Sequence, residues 1–342
     1  MVRIRRKGGS AMPGFVTHCV FGARVLRALP EGQVRAAARK YPRAFYLGCQ
    51  GPDLFSYNFF RMALWSHHNL GAYLHNNRVK RFFEQGFAQL PEGPEKPLCL
   101  AYLAGAYCHY VCDSVCHTFV YARTDYDPQS PSAAYYGRHA ALEGAIDAWY
   151  LRQEWDLSHS ELPQDVVFRL PLPERGPLAA YLARVLDGTL GDLFHRAPFH
   201  PLFVRRALYL AAVESRLLRD PEATRRGKVE RFENRTFKFP LLSTKFITDE
   251  PAGFGDPLNF AHRTWSDPWH RHRVFTASFD ELFQKGLRLA VWLLPQMSDA
   301  ARFLAMTGDT NYHDDRVLGP AFQRLERAVA AGEALPVQEK GP

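Results

Sequence analysis

The stretch GAYCHYVCDSVCH, residues 105–117, is apolar enough for a buried helix, yet it carries two histidines and an aspartate at intervals of four residues. Four residues turn an α-helix through about 400°, so His109, Asp113 and His117 drift only about 40° per step and lie in one stripe. Burying ionised side chains is unfavourable unless a metal or a partner compensates. The stretch therefore predicts a core helix with one polar face that needs a common partner.

A second predicted helix repeats this spacing. In RHAALEGAIDAWYL, residues 138–151, His139, Glu143 and Asp147 also follow one another at steps of four. Imidazole nitrogen and carboxylate oxygen are ligands that zinc favours. A single pair of this kind is typical of a hydrogen-bonded core histidine or a surface ion pair. Two such pairs on consecutive helices, set among apolar residues, favour a metal site.

Further candidate ligands lie upstream of these helices. Asp53 follows a turn in FYLGCQGPDLF, His67 and His68 occur in WSHHNLG, and His18 occurs in PGFVTHCVFG. Each also has a simpler interpretation. Asp53 can cap the following turn, the histidine pair can lie at the surface, and His18 can pack in the core.

Composition narrows the class of protein and its partners. The chain has 342 residues, of which 46% are hydrophobic. Its net charge of +8 is typical either of a protein that binds phosphate-bearing partners or, equally, of a plain solvated surface. There is no run of about 18 apolar residues to predict a membrane span. The basic N-terminal segment has no uninterrupted apolar stretch typical of a secretory signal, so we expect a cytoplasmic protein.

All six cysteines lie within residues 19–116, and the expected cytoplasmic location predicts that they are reduced thiols. They are Cys19, Cys49, Cys99, Cys108, Cys112 and Cys116. The last three are helically spaced beside the His/Asp stripe. They are either small core residues, the interpretation we favour, or a second, thiolate metal site.

Helical periodicity dominates the chain and predicts an all-α, multi-helix bundle. The predicted helices cover about residues 15–29, 31–40, 71–90, 97–121, 133–154, 176–195, 199–219, 278–295 and 317–331. Ser278 and Glu281 have the spacing of a capping box. The long polar stretch 220–275 is either a lid or substrate-binding loop, or an ordered surface excursion.

Two groups of side chains in predicted loops have open roles. One is Asn259, His262, Trp265, Trp269, His270 and His272, which either cover the metal site or are solvated. The other is Phe55, Tyr57, Phe59, Phe60 and Trp65, which either form an apolar wall near the metals or belong to the core. Such a wall could hold a quaternary ammonium group or stack on bases.

Taken together, these motifs resemble the zinc-dependent phospholipase C family, whose superfamily includes the secreted single-strand-specific zinc nucleases. The resemblance covers about residues 13–150 and rests on PGFVTHCVFG, YLGCQGPDLF, the histidines at 67 and 68, YLAGAYCHYVCDSVCH and HAALEGAID. It implies an all-α bundle of this type, with extra C-terminal helices and a long irregular loop, that binds up to three zinc ions and hydrolyses phosphate esters.

The resemblance also implies a ligand set. One zinc would be surrounded by Asp53, His67 or His68, His109 and Asp113, and Asp113 would bridge to a neighbouring zinc held by His18. Another zinc would take His117, His139 and Glu143. Asp53 would in addition orient or deprotonate the attacking water, which makes it the expected catalytic residue.

The chain is expected to divide into a basic arm or mis-assigned start at 1–12, one domain at 13–332 and a flexible tail at 333–342. Within that domain the metal-ligand core would span 13–155, and accessory helices and the loop 156–332. If translation starts at Met12 and that methionine is removed, the free amine of Pro13 would share a zinc with His18, as the N-terminal amine does in the secreted relatives.

The function expected from these features is zinc-dependent phosphodiester hydrolysis of the phospholipase C type, in which a zinc-activated water attacks phosphorus. The expected partners are a phospholipid or other phosphodiester substrate and, transiently, a membrane surface. One alternative is a zinc nuclease or phosphatase that acts on nucleic acid or nucleotides. Another is a non-catalytic helical protein stabilised by metal.

Overall fold

The described part of the chain is almost entirely helical, which confirms the predicted all-α fold. The structure, a computed structural model, describes residues 14–56, 70–130, 133–192, 198–240, 242–249, 254–306 and 319–331. The helices are α1 (Phe15–Ala28), α2 (Gln33–Lys40), α3 (Pro42–Gly48), α4 (Leu70–Asn76), α5 (Val79–Ala88), α6 (Lys96–Arg123), α7 (Ala133–Trp155), α8 (Leu172–Leu190), α9 (Pro201–Leu218), α10 (Thr224–Thr236), α11 (Phe279–Leu293), α12 (Ala300–Leu304) and α13 (Gly319–Ala330). Two short strands, β1 (Trp265–Ser266) and β2 (Val274–Phe275), pair antiparallel.

Helix α6 forms the centre of the fold. Its 28 residues are buried almost throughout, and α1, α2, α3 and α11 all pack against it. Three of its tyrosines, Tyr102, Tyr107 and Tyr110, are at most 1% exposed and help to fill the apolar core. The stretch that opens the sequence analysis therefore lies in the most buried helix described.

Helix α3 crosses α6 at a pair of glycines. A Cβ added to Gly48 would lie 2.1 Å from the carbonyl oxygen of Tyr102, and one added to Gly105 would lie 2.0 Å from that of Phe45. Only residues without a side chain allow two helix backbones to approach this closely. The crossing fixes the position of the segment after α3, a 3-10 turn at Gly51–Phe55 that carries Asp53.

The carboxylate of Asp147 holds the N-terminus of α1 against α7. It accepts hydrogen bonds from the backbone N–H groups of Gly14 (3.0 Å), Val16 (3.2 Å) and Thr17 (2.8 Å), and from the Thr17 hydroxyl. The first backbone N–H groups of a helix have no partner within that helix, so an acceptor from another helix satisfies them. Asp147 therefore positions α1, which carries His18.

Two of the predicted elements differ in the structure. The helix predicted at 71–90 is divided into α4 and α5, because the Asn76 and Asn77 side chains donate to the carbonyl oxygens of Ala72 and Tyr73 and Arg78 takes a left-handed φ of 61°. The polar stretch 220–275 was predicted to be irregular but contains α10.

Several expectations concern residues outside the described ranges. These are the N-terminal arm with Met12 and Pro13, the tail at 333–342, the aromatic residues Tyr57, Phe59, Phe60 and Trp65, and the histidines His67 and His68. Phe55 is described: it is 6% exposed and its ring stacks on that of Phe203.

All six cysteines are buried free thiols, and the capping box at Ser278 and Glu281 is present at the start of α11. Within the described residues, no helix has both the length and the apolar character that a membrane crossing requires.

Candidate metal centre

The buried carboxylate of Asp113 on α6 is surrounded by four histidines. Its Oδ1 lies 3.1 Å from His18 Nε2, and its Oδ2 lies 3.6 Å from His75 Nε2, 3.2 Å from His109 Nε2 and 3.4 Å from His117 Nδ1. Helices α1, α4 and α6 thus bring their side chains to one point, because α6 supplies the stripe and the other two helices face it.

A second group of side chains lies next to the first and shares His117 with it. On α7, the Oε1 atom of Glu143 is 2.9 Å from His139 Nε2 and 3.3 Å from His117 Nε2. One ring nitrogen of His117 therefore faces Asp113 and the other faces Glu143. The step of four from Asp113 to His117 keeps His117 on the stripe and within reach of both groups.

Asp53 completes the first group from the 3-10 turn. Its Oδ1 lies 3.5 Å from His75 Nε2. Three sets of side chains bring possible ligand atoms within 4.8 Å of one another: His18, Asp53 and His109; His75, His109 and Asp113; and His117, His139 and Glu143. Ligand atoms of a tetrahedral zinc lie roughly 3.3–3.5 Å apart, given zinc–ligand distances near 2.1 Å. The distances in both groups fit such coordination.

Two backbone carbonyl groups direct the Nε2 atoms of His75 and His109 toward each other. His109 Nδ1 lies 3.0 Å from the Cys49 oxygen, and His75 Nδ1 lies 2.9 Å from the Gly71 oxygen. A carbonyl oxygen only accepts, so each Nδ1 carries the proton, and in a neutral ring Nε2 then carries a lone pair. The two Nε2 atoms face each other at 3.3 Å. Without a metal, one of the two rings must be protonated for this contact to be a hydrogen bond, and despite burial the Asp53 and Asp113 carboxylates raise the pKa of His75. A shared metal ion would instead accept the lone pairs of both rings.

Asp113 Oδ2 adds a second observation of the same kind. It is fully buried, and among the described residues it has no hydrogen-bond partner. Buried carboxylate oxygens are normally satisfied by donors or by a metal. The donor set of imidazoles and carboxylates therefore fits zinc, with no thiolate within it.

Burial and mutual attraction together shift the pKa values of the carboxyl groups. Burial alone would raise the pKa of Asp113, but the neighbouring His117, His109 and His18 lower it well below its usual range. In the same way, His139 and His117 lower the pKa of Glu143 against the effect of burial. The pKa of Asp53 is raised, because burial outweighs the attraction of His75 and His109. Asp53 is therefore the carboxyl group here that most readily takes up a proton.

The structure brings together seven of the nine ligands predicted from the sequence. These are His18, Asp53, His109, Asp113, His117, His139 and Glu143. His67 and His68 lie outside the described residues. The histidine found beside Asp53 and Asp113 is His75, which the sequence analysis did not select. Its only signal in the sequence is that it is a lone histidine in a short apolar segment, LGAYLHN.

Aromatic rings border the second group of ligands. The Tyr135 hydroxyl contacts Nδ1 of His139, and the Tyr135 ring stacks on that of Tyr121. Trp269 contacts the rings of Tyr121 and Tyr126. Trp269 belongs to the polar segment that was expected either to cover the metal site or to be solvated, and its ring contacts the tyrosines beside His139. By contrast, His262 is exposed and contacts the Thr276 carbonyl oxygen.

A small cavity with two cationic walls lies against α7. It has a volume of about 40 Å³ and is lined by residues that include Gly144, Asp147, Arg226 and Lys245. A single water needs roughly 10–15 Å³ of such space, so the cavity holds a few water-sized groups. Burial lowers the pKa of Lys245, although Glu214 and Asp53 oppose this. The polar stretch that was predicted to be a loop thus brings Arg226 and Lys245 next to the helix that carries Glu143.

These features define a class of protein: an all-α chain with a buried centre of histidines and carboxylates suited to zinc. Residues 17–175 match the model of the family described as zinc dependent phospholipase C. The matched segment is a little under half of the chain and contains every candidate ligand, and the match confirms the resemblance seen in the motifs. No curated protein matches the chain. No solved structure matches it either.

Proposed function

We propose that the protein is a zinc-dependent phosphodiester hydrolase of the phospholipase C type. The observation that carries the proposal is the pair of ring nitrogens, His75 Nε2 and His109 Nε2, that face each other at 3.3 Å beside the unsatisfied Asp113 carboxylate. Such an arrangement places two imidazole nitrogens and carboxylate oxygens where a cation can bind them together. The match to the phospholipase C family supports hydrolysis over a purely structural role for the metal.

The proposed ligands come from five segments of the chain. Asp113 would be shared between metal ions, because both of its oxygens face histidines. His75 is a further ligand beside Asp53 and Asp113, and the expectation for His67 or His68 concerns residues outside the described ranges. His117, His139 and Glu143 would hold a further ion. Bound zinc would supply a water of lowered pKa and would neutralise charge that develops on the phosphoryl oxygens.

The protein's own groups then have distinct tasks. The Cys49 and Gly71 carbonyl groups hold His109 and His75 with their Nε2 atoms directed into the centre. Asp53 has the raised pKa that suits a group accepting a proton from water, in keeping with the catalytic role expected for it. The Tyr135 hydroxyl fixes the orientation of the His139 ring.

For the substrate, we propose a phospholipid with its phosphodiester at the metal centre. The name of the family and the net charge of +8 both support a substrate presented at an anionic surface. Arg226 and Lys245 in the cavity beside α7 could attract an anionic group of the lipid.

Metal analysis combined with two hydrolysis assays tests this proposal. We would measure zinc per chain, and turnover of a choline phosphodiester and of single-stranded DNA, for the wild type, His75→Ala and His139→Ala. Each variant should bind about one zinc fewer per chain and turn over substrate at least tenfold more slowly, because each substitution removes a side chain that would bind zinc directly. His262→Ala is the matched control, since this exposed histidine lies outside the centre.

Three results would contradict the proposal. One is a wild type that binds less than one zinc, and a second is a zinc-loaded wild type that is inactive on both substrates. The third is turnover of DNA alone, which would replace the phospholipase with a nuclease.

A further inference from the structure

The outward side of α10 combines basic and aromatic side chains. Arg231 and Phe232 lie three and four residues after Lys228, and Arg235 lies four and three residues after them, so the four side chains share one face of the helix. All four are exposed, and Phe232 is 62% exposed. Just after the helix, Phe237 is 49% exposed and its ring centroid lies 6.4 Å from that of Phe232. We call these five residues the α10 outer face.

The charge of this face is not neutralised by neighbouring carboxylates. In the described part of the chain, no ion pair is formed by Lys228, Arg231 or Arg235. The nearby Glu233 is 3% exposed and points inward, where it accepts hydrogen bonds from the Leu242 and Ser243 backbone N–H groups. The outer face therefore presents cations and two rings to solvent.

We propose that the α10 outer face docks the protein on an anionic phospholipid surface. Basic side chains close to a bilayer are attracted to anionic lipids, and exposed phenylalanine rings beside them can enter the headgroup region. Adjacent exposed rings that are rimmed by charged side chains are typical of a membrane or protein interaction site. The inference rests on the proposed function in one respect, since a phospholipase needs access to lipid.

The ring geometry favours lipid over single-stranded nucleic acid. Proteins that bind single strands stack successive bases on aromatic platforms. The Phe232 and Phe237 rings meet at 87°, edge to face, so they do not offer two parallel platforms. Insertion between lipid headgroups has no such requirement.

The position of α10 links this surface to the metal centre. Its Arg226, which lies on the inward side, lines the cavity beside α7 together with Gly144. The 3-10 turn Ser243–Lys245 packs against both α10 and α7. Docking through the outer face would therefore bring the bilayer close to the helix that adjoins this cavity and that also carries Glu143.

Vesicle co-sedimentation tests the proposal with the full chain. The vesicles are phosphatidylcholine alone or phosphatidylcholine with phosphatidylserine, and the variants are Arg231→Glu with Arg235→Glu, and Phe232→Ser with Phe237→Ser. The matched control is α13, where Arg324, Arg327 and Val329 are also exposed. Its variants are Arg324→Glu with Arg327→Glu, and Val329→Ser.

We expect the wild type to prefer phosphatidylserine vesicles and to lose binding as salt rises. The charge variant should bind these vesicles at least about tenfold more weakly, and the ring variant should bind both kinds more weakly. The α13 variants should bind as the wild type does. Circular dichroism confirms that each variant is folded.

Three outcomes would overturn the docking proposal: a wild type that binds neither vesicle, α10 variants that bind like the wild type, or α10 variants that lose affinity only for a single-stranded oligonucleotide. The α10 variants should keep wild-type turnover of a soluble choline phosphodiester. If the wild type is inactive on that substrate, the proposed function fails, whereas vesicle binding still decides the docking proposal.

Discussion

Gly51 sets the position of a candidate metal ligand, His109, because it has no side chain. Its φ is +48°, and a Cβ at this position would lie 2.4 Å from Cδ2 of His109. Any side chain would therefore strain the backbone and also displace the imidazole ring from Asp113. Gly93 has a φ of +80° but would place its Cβ in open space, with nothing within 4 Å.

The two glycines separate backbone strain from loss of the metal site. We expect Gly93→Ala to lower the free energy of unfolding by about 1 kcal/mol without changing zinc content. Gly51→Ala should in addition lower zinc content and reduce turnover at least tenfold, because His109 is displaced. Zinc per chain and chemical denaturation check both results. Equal zinc content in the two variants would contradict this account of Gly51.

At the scale of the residue, periodic ligands were predictable and isolated ones were not. His109, Asp113, His117, His139 and Glu143 lie at helical spacings that predict a shared face, and the structure brings them together. His75 has no such partner in the sequence. Its contact with His109 arises only when α4 packs beside α6, and local periodicity carries no information about that packing.

Among the helices, the crossing of α3 and α6 depends on direct contact between backbones. A methyl group on Gly105 would meet the Phe45 carbonyl oxygen, which is part of a helix and cannot move alone. In contrast, Gly144 on α7 has nothing within 4 Å of an added Cβ. These two helical glycines therefore have opposite responses to the same substitution.

Gly105→Ala should lower the free energy of unfolding by about 3 kcal/mol, because α3 must move away from α6. Gly144→Ala should raise it by roughly 0.5–1 kcal/mol, since alanine favours helix more than glycine does. Urea denaturation of both variants measures the difference. A stable Gly105→Ala protein would show that the crossing can widen without loss of packing.

The helices that sequence analysis found are those with apolar periodicity. Helix α10 was not predicted because Glu233 is its one buried side chain, so its sequence contains no apolar stripe. Helices α3 and α12 are only seven and five residues long, too short for periodicity to show. The break between α4 and α5 comes from asparagine side chains that bond to the preceding turn, an effect that apolar patterning does not record.

For the whole molecule, the buried charges couple stability to metal and to pH. Without metal, the pKa of Asp113 in the folded protein is lowered, so its ionised form stabilises the fold. This stability is fully present above the unfolded pKa of about 4 and is lost as pH falls through the lower, folded-state pKa. Protons also compete with zinc for the same side chains.

We therefore expect a chelator to lower the thermal midpoint, and added zinc to restore it in a concentration-dependent way. In the chelated protein, the midpoint should fall further as pH decreases below about 4, and this fall should be smaller for Asp113→Asn. Differential scanning calorimetry at a series of pH values checks both effects. A midpoint indifferent to chelation would contradict a metal-filled centre.

The overall architecture was predictable in class but not in arrangement. Apolar periodicity predicted an all-α chain, whereas the placement of helices around α6 depends on contacts between distant residues, such as the bonds from Asp147 to the start of α1. Asp147 shares the spacing of His139 and Glu143, yet it holds a helix instead of facing the ligands. Spacing identifies a face of a helix, and packing decides what that face meets.

Because all six thiols are buried, the rates at which they are chemically modified report local opening of the native protein. Burial raises the pKa of Cys19, Cys49, Cys99 and Cys112, which suppresses the reactive thiolate as well as access to it. Alkylation of these thiols therefore requires local opening of the segment that carries them. Because these cysteines lie on α1, on α6 and at the end of α3, their labelling rates would rank how readily the elements around the candidate metal centre open.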